Sequence, residues 1–251
     1  MNIQNKQNDN LVNSRDKILE DIAVKVDAQL QNFTKDFHLG LQLISKYSNS
    51  VTVFGSARFG EEHPEYIKAR ELGGLLAKFG HPVITGGSRG IMEAANRGAS
   101  DAGAESVGLN IVLPHEQAPN LYVTPELSFN FHYFATRKIH FLTRAKAVAV
   151  FPGGFGTLDE LFEIVTLVQT GKMPPVSIVL VGSEFWKPLD SYIRYYFEGE
   201  MKTISHGDAE LYYITDDLEE VVTIANQARE RSITEVFAAT GQEQIGAGPS
   251  A

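Results

Sequence analysis

Residues 152–160, PGGFGTLDE, place three glycines and a threonine between an apolar segment and a helix-forming one. Glycine lets the main chain approach a ligand closely, and the N–H groups at the start of a helix attract an anion. The hydroxyl of Thr157 adds a hydrogen-bond donor beside those N–H groups. A phosphate group is therefore the ligand that this segment predicts.

Residues 85–94, TGGSRGIMEA, form a second glycine-rich loop between an apolar segment and a helical one. One such loop alone is equally well explained as a tight strand-to-helix turn, but two loops at one edge of a sheet favour a ligand site. The familiar nucleotide motifs do not fit. Thr85 stands where a G-x-G-x-x-G motif needs its first glycine, and the sequence has no G-x-x-x-x-G-K-[ST] segment.

Glu160 allows two interpretations. With Thr157 it matches the S/T-x-x-E capping box, in which the glutamate only returns to a backbone N–H at the start of its helix. Alternatively, a carboxylate one turn inside a helix that binds phosphate lies within reach of the group that the phosphate carries. Glu163 is then a structural residue on the same helix face, and Asp159 is a solvated one.

Arg137 and Lys138 lie in the segment FHYFATRK, residues 131–138. An adjacent Arg and Lys most often form a charged surface pair. Here the neighbouring side chains are aromatic or aliphatic and can form the wall of a pocket for a planar base: Phe131, Tyr133, Phe134, Ile139 and Phe141.

The elements that must position these residues alternate along the chain. Predicted strands cover residues 51–54, 82–85, 106–113, 147–151, 176–181 and 211–215, and predicted helices cover 64–79, 91–103, 131–145, 157–170, 186–198 and 217–231. Strands that are apolar on both faces and separated by helices indicate a parallel sheet covered on both sides. We therefore predict an α/β fold, a Rossmann-like doubly wound parallel sheet. Both glycine loops then lie at the carboxyl ends of strands, where ligands bind.

The chain divides into four predicted segments. Residues 1–13 are rich in Asn and Gln and are predicted to be disordered, 14–47 form a helical extension, 48–232 form the single Rossmann-like domain, and 233–251 form a flexible tail. The extension carries an apolar stripe with a period of four residues: Ile18, Ile22, Val26 and Leu30. The stripe must be buried, either against the main fold or against another subunit, and a packing role for this helix is the favoured interpretation. A homodimer or larger homo-oligomer is predicted.

The composition excludes several classes of function. The 251 residues carry a net charge of −9, which argues against a nucleic-acid polymer as partner, because such binding needs a basic face. The chain has no cysteine, so disulfides, thiol catalysis and cysteine-bound metals are excluded. It shows neither a signal-peptide pattern nor an apolar run near the ~20 residues of a membrane span, so a cytoplasmic protein without a membrane partner is expected. No metal is expected, because four histidines lack the spacing of metal ligands: His63, His115, His132 and His140. No cofactor is expected either.

Three segments together carry a resemblance to a known family. GGSRGIMEA (86–94), RK (137–138) and PGGFGTLDE (152–160) resemble the Lonely Guy nucleoside 5′-monophosphate phosphoribohydrolases of the longer, bacterial type. The family pattern PGGxGTxxE is met in full, and Arg89 stands where the family has a small residue or proline. Some members carry the label lysine decarboxylase, which nothing here supports, because no lysine is marked as an attachment site for pyridoxal phosphate.

The resemblance implies hydrolysis of the N-glycosidic bond of AMP or an N6-modified AMP, a cytokinin nucleotide, to the free base and ribose 5-phosphate. It assigns the essential arginine and glutamate to Arg137 and Glu160. The carboxylate would activate water and stabilise the oxocarbenium character that the ribose acquires. It also implies a set of substrate-binding residues: Ser56, Gly87, Gly90, Met92, Lys138, Gly153, Gly154, Gly156 and Thr157. Leu113 and Pro114 are further candidates, with Met92, for the adenine side of the site.

Two other classes of function remain. The same fold and PGGxGT loop can hold a nucleotide-like cofactor without turnover, as in a molybdenum-cofactor carrier. Arg137 and Glu160 together favour the enzyme, because a carrier has no need of a glutamate directed at the sugar. A Rossmann oxidoreductase is weakened by the missing first glycine at Thr85.

Overall fold

The computed structural model describes residues 3–112, 118–232, 234–236 and 238. Its strands are β1 Ser50–Phe54, β2 Val83–Thr85, β3 Ser106–Ile111, β4 Ser128–Phe131, β5 Ala145–Val150, β6 Ser177–Val181 and β7 Tyr212–Thr215. Its main helices are α1 Ile3–Ile44, α2 Pro64–Lys78, α3 Ile91–Asp101, α4 Phe134–Thr143, α5 Phe155–Gln169, α6 Ser183–Tyr192 and α7 Leu218–Gln227. A π-helical segment, Ile193–Glu200, continues α6.

The strands form one parallel sheet in the order β4-β3-β2-β1-β5-β6-β7. The chain builds outward from β1 in one direction and from β5 in the other. The order therefore reverses between β1 and β5, whose last residues, Phe54 and Val150, lie side by side. A reversal of this kind leaves a crevice at the carboxyl ends of the two strands. The predicted α/β fold is confirmed.

The core has one layer on each face of this sheet, because successive residues of a strand point to opposite sides. In β5, Ala147 and Ala149 pack with α2, α3 and α7 on one face. Val148 and Val150 pack with α4, α5 and α6 on the other. All four side chains are fully buried, which explains why the strand is apolar on both faces.

One strand was not predicted. β4 is a strand of four residues at the edge of the sheet, and only Phe131 of its residues is buried. The helix predicted over 131–145 therefore begins at Phe134 instead. So short and half-exposed a strand has little periodic signal, and an aromatic segment leading into a helix fits a helical pattern equally well.

The N-terminal region also differs from its prediction. Residues 3–13, predicted to be disordered, continue α1. No glycine or proline precedes Gly40, so once the helix has formed, each further residue adds a hydrogen bond at little cost. The apolar stripe is not buried against the main fold: Ile22, Val26 and Leu30 are 51%, 44% and 58% exposed. Ile18 lies in α1, but its side chain is outside the described residues.

The last turns of α1 are fastened to α4 and the segment before it. Asp36, which is buried, accepts hydrogen bonds from the backbone N–H of His132 (2.6 Å) and from its Nδ1 (3.0 Å). The buried ring of His140 places Nε2 3.0 Å from the carbonyl oxygen of Phe37. These two histidines therefore hold helices together, as structural side chains.

The C-terminal end adds one buried anchor. The guanidinium of Arg231 donates to the carbonyl oxygens of Leu142, Ala145 and Pro174. Of the predicted flexible tail, 233–251, the structure describes 234–236 and 238, which are helical, and Val236 is buried. The rest of the tail lies outside the described residues. Within the described part of the chain, no helix has the length and apolar character needed to span a bilayer.

Candidate active site

A cleft of about 850 Å³ lies at the carboxyl ends of β1, β2 and β5. It is bounded by the loops that follow these strands and by α4 and α5. Eight of the predicted site residues line it: Ser56, Gly87, Met92, Arg137, Gly154, Gly156, Thr157 and Glu160. Gly90, Gly153 and Lys138 do not line the cleft, and Leu113, Pro114 and His115 lie outside the described residues.

The start of α5 forms one wall of the cleft. The helix begins at Phe155, directly after Gly154, and Gly156 and Thr157 of its first turn line the cleft. The first N–H groups of a helix have no partner within the helix, and the helix dipole makes this end positive. The arrangement is suited to an anion such as phosphate.

Gly153 shapes this wall from behind. A Cβ atom at this position would lie 2.1 Å from the hydroxyl oxygen of Thr157, which no packing tolerates. Gly153 is therefore required so that the Thr157 side chain can occupy its place, and its role is to position Thr157.

The loop after β1 joins the two glycine loops. The backbone N–H of Ser56 donates to the carbonyl of Pro152 (3.0 Å), and the carbonyl of Ser56 accepts from the N–H of Ile91 (3.0 Å). Gly90 adopts φ +67°, and a Cβ there would lie 2.2 Å from the Ser56 carbonyl oxygen. Gly90 thus permits this close approach, and its contribution to the site is indirect.

Glu160 is the buried carboxylate of the site, with only 6% of its surface exposed. Its Oε1 lies 3.3 Å from Nη2 of Arg137. Burial raises the pKa of Glu160 to about 7, although the positive charges of Arg137 and Lys138 act in the opposite direction. A carboxyl group with a pKa near neutrality can both accept and release a proton at physiological pH, as a general base requires.

The capping-box interpretation of Glu160 is wrong. Gly154 is the residue that precedes α5, so Thr157 is the third residue of the helix and cannot be its cap. The N–H of Thr157 donates to the carbonyl of Gly154 (3.0 Å). Glu160 lies in the second turn, lines the cleft and contacts Arg137.

Arg137 lies between the two glycine loops. Its guanidinium carbon is 5.3 Å from the ring centre of Phe134 and 5.2 Å from that of Phe141. A Cβ at Gly86 would lie 3.6 Å from Nη1 of Arg137, so the guanidinium also reaches the loop after β2. The aromatic rings and Glu160 together hold the cation at the centre of the cleft.

Lys138 faces away from the cleft. Its Nζ lies 2.8 Å from carboxylate oxygens of both Asp159 and Glu163 on α5. Successive residues of a helix point about 100° apart, so Arg137 and its neighbour cannot both face the cleft. Lys138 therefore links α4 to α5 through ion pairs, and the predicted contact with substrate is not seen. Asp159, predicted to be solvated, is also a partner in one of these ion pairs.

Asn110 was not predicted as a site residue. It lies in β3, is 4% exposed and lines the cleft. The available signal was a polar residue inside an otherwise apolar predicted strand. Arg89 is exposed and does not line the cleft. Among the residues that the structure describes, no three His, Asp or Glu side chains are grouped so as to hold a metal ion.

Curated proteins similar to this chain include two enzymes of the same name. A cytokinin riboside 5′-monophosphate phosphoribohydrolase from Rhodococcoides fascians is 29% identical over 157 residues, which are 58% of this chain and 74% of that protein. The phosphoribohydrolase LOG from Oryza sativa subsp. japonica is 28% identical over 190 residues, 74% of this chain and 72% of that protein.

Solved structures support the fold. An X-ray structure of a structural-genomics target matches with a TM-score of 0.52 and 25% identity, covering 71% of this chain and 98% of that one. The molybdenum cofactor carrier protein from Chlamydomonas reinhardtii matches with a TM-score of 0.50 and 24% identity, covering 70% of this chain and 95% of that one. At that identity the second match shows a shared fold alone.

A family profile described as "Possible lysine decarboxylase" matches residues 92–225, just over half of the chain. This range includes Arg137 and the whole PGGFGTLDE segment. The chain belongs to this family, the Lonely Guy family.

Proposed function

We propose that the protein hydrolyses the N-glycosidic bond of a nucleoside 5′-monophosphate, AMP or an N6-modified AMP, to the free base and ribose 5-phosphate. The observation that carries the proposal is the buried Glu160, with a pKa of about 7, in contact with Arg137 beside the N-terminus of α5. The names of the similar curated proteins support the same reaction.

The anion site orients the substrate. A 5′-phosphate bound at the first turn of α5 places the attached ribose toward the second turn, where Glu160 lies. Binding energy from this remote phosphate then holds the reacting carbon near the carboxylate. The cleft thus separates an anion-binding end from a reacting centre by one helical turn.

Glu160 acts on the water that replaces the base. As the bond between C1′ and the base nitrogen breaks, its electron pair leaves with the base and C1′ acquires oxocarbenium character. The ionised carboxylate stabilises this charge and accepts a proton from water, whose oxygen bonds to C1′. Glu160 then releases the proton that it accepted and the departing base takes up one, so the carboxylate is regenerated and the elements of a single water molecule are divided between the two products.

Arg137 keeps Glu160 in its reactive form. A guanidinium is always charged, and its charge-assisted hydrogen bond favours the ionised carboxylate and fixes its orientation. Burial alone would hold the carboxyl group protonated. The two opposing effects leave the group close to half-ionised at neutral pH.

The experiment that tests the proposal is an incubation of the purified protein with AMP, an N6-substituted AMP and adenosine, followed by chromatography for free base and ribose 5-phosphate. We expect base release from the two nucleotides and little or none from adenosine, which lacks the anion. Equal kcat/KM for AMP and adenosine would contradict the phosphate site. Tight binding of AMP without base release would favour the binding-protein alternative.

A further inference from the structure

The side-chain amide of Asn110 has a fixed orientation. Its Nδ2 lies 3.3 Å from the carbonyl oxygen of Phe129, 3.4 Å from that of Gly108 and 2.9 Å from the hydroxyl oxygen of Ser128. Carbonyl oxygens only accept hydrogen bonds, so the NH₂ group must face them. The amide oxygen, Oδ1, must therefore point in the opposite direction.

Oδ1 of Asn110 lies against Gly87, in the second glycine loop at the wall of the cleft. A Cβ at Gly87 would lie 1.8 Å from this oxygen, and Gly87 has φ +69°, so only glycine fits there. Both residues line the cleft. Among the residues that the structure describes, none donates a hydrogen bond to Oδ1. The cleft therefore presents an acceptor with no protein partner in the described chain.

The surroundings of this acceptor suit a planar base. Met92, Ile111 and Phe141 line the same cleft and are apolar. β3 lies three strands from β5 in the sheet, which is about 14 Å at ~4.8 Å per strand. An anion site at α5 and an apolar end near β3 thus match the two ends of a mononucleotide.

We propose that Oδ1 of Asn110 accepts a hydrogen bond from the amine at position 6 of the purine and so selects 6-aminopurine nucleotides over 6-oxopurine nucleotides. This inference rests on the proposed function. Adenine carries an N–H donor at this position, whereas a 6-oxopurine carries an acceptor, which would face the acceptor of Asn110. An N6-substituted adenine keeps one N–H and remains a ligand.

The test compares three nucleotides on the full-length wild-type protein: AMP, IMP, and purine riboside 5′-monophosphate, which has no substituent at position 6. We expect kcat/KM for AMP to exceed both others by about 10-fold or more, the usual effect of one buried hydrogen bond. Equal values for AMP and IMP would overturn the inference. This ligand series does not depend on any variant folding.

Two variants assign the effect to the residue. Asn110→Leu keeps the size of the side chain and removes the acceptor, so kcat/KM for AMP should fall about 10-fold. The value for IMP should not fall, because the repulsion between two acceptors is removed, and the preference for AMP over IMP should largely disappear. Ser128→Ala removes a partner of Nδ2 on the far side of the amide and should leave the preference intact. An equal fall for all three nucleotides in Asn110→Leu would mean a contact with ribose or a packing role, and would contradict base recognition.

The failure of this inference is distinguishable from failure of the proposed function. If the wild-type protein releases no base from any nucleotide, the proposed hydrolysis is wrong. Dissociation constants of the same three nucleotides, measured by calorimetry, then still decide whether Asn110 reads the base. Equal affinities for AMP and IMP in that case would overturn the base recognition as well.

Discussion

Arg137 Nη2 lies 3.3 Å from Glu160 Oε1, and the two residues are 23 positions apart in the chain. The contact joins α4 to the second turn of α5 and places both charges inside the cleft between the glycine loops. Removing two charges from water can cost more than their attraction returns, so stabilisation of the fold alone does not explain the pair. Its position one turn behind the proposed phosphate site supports a role in catalysis.

Replacing the carboxylate of Glu160 should remove activity and preserve binding. Glu160→Gln keeps the shape of the side chain but can neither accept a proton nor stabilise the oxocarbenium ion, so kcat for AMP should fall by ~10² or more. The dissociation constant for AMP should stay within a few-fold of wild type, because the first turn of α5 is unchanged.

The matched control is Glu163→Gln, the same change less than one turn further along α5, at a carboxylate that pairs with Lys138 and does not line the cleft. Its kcat should remain close to wild type. A Glu160→Gln variant with near-normal kcat would show that another group activates the water.

The rate should follow the ionisation of Glu160. Burial raises the pKa of this carboxyl to about 7, so only the fraction ionised at a given pH can act as a base. The value belongs to the protein without substrate, so we expect kcat/KM to rise with pH through the region near 7 and to fall about tenfold for each pH unit below it. A kcat/KM that is constant from pH 5 to 8 would contradict the role of Glu160 as base.

The same pKa shift predicts a pH-dependent difference in stability. The folded pKa of Glu160 is raised from 4.5 to about 7, so the folded state holds the proton more tightly than the unfolded state does. This contribution to stability is fully present below about pH 4.5 and is lost as the pH rises through 7; at 1.36 kcal/mol per pH unit it is on the order of 3 kcal/mol. Glu160→Gln cannot titrate, so its melting temperature relative to wild type should increase between pH 5 and pH 8.

The charge attraction between Glu160 and Arg137 changes as Glu160 titrates, so it is already part of the pKa shift. Only the effects of the substitution that do not depend on pH, such as altered packing, cancel when two pH values are compared. Melting curves of both proteins at several pH values provide the measurement. A difference in melting temperature that is the same at pH 5 and pH 8 would mean that Glu160 has an ordinary pKa.

The sequence predicted the sheet because both faces of its central strands are buried. Ala147 to Val150 contact helices on alternate sides, and this two-sided burial produces a continuous apolar run that can be recognised without a structure. β4 was missed for the opposite reason. β4 lies at the edge of the sheet, and three of its four residues are partly or fully exposed. It therefore has no continuous apolar run to mark it in the sequence.

Within the site, loop residues were easier to predict than the directions of side chains. The tight turns of both loops require glycine, so the glycines in the sequence are enough to predict where these loops lie. The side chain of Arg137 enters the cleft, whereas that of Lys138 points away from it. These directions depend on where α4 begins, and because β4 occupies 128–131, the helix begins at Phe134 and not at residue 131 as predicted. The orientation of the Asn110 amide could not be predicted, because it depends on Ser128 and Phe129, which only the pairing of β3 with β4 brings beside it.

The hydroxyl of Thr157 should contribute to binding and little to the chemical step. Thr157→Val has the same size and lacks the donor, so a phosphate at the first turn of α5 would lose one charge-assisted hydrogen bond. We expect KM for AMP to rise by about 10-fold with kcat changed less than threefold.

Thr166→Val on the same helix is the control for Thr157→Val, because the hydroxyl of Thr166 donates to the carbonyl of Phe162 (2.6 Å) outside the cleft. Steady-state kinetics with AMP test both variants. An unchanged KM in Thr157→Val would place the phosphate elsewhere.

The exposed stripe of α1 predicts self-association. Ile22, Val26 and Leu30 recur every four residues and are 51%, 44% and 58% exposed in the single chain, so a second copy that covers them would bury apolar surface. Val26→Glu with Leu30→Glu should therefore shift the protein toward monomer in light scattering at micromolar concentration. Val24→Glu is the matched control, because Val24 is also apolar and 68% exposed but lies about 200° around the helix from both Ile22 and Val26. A double variant with the same mass in solution as wild type would contradict the role of the stripe.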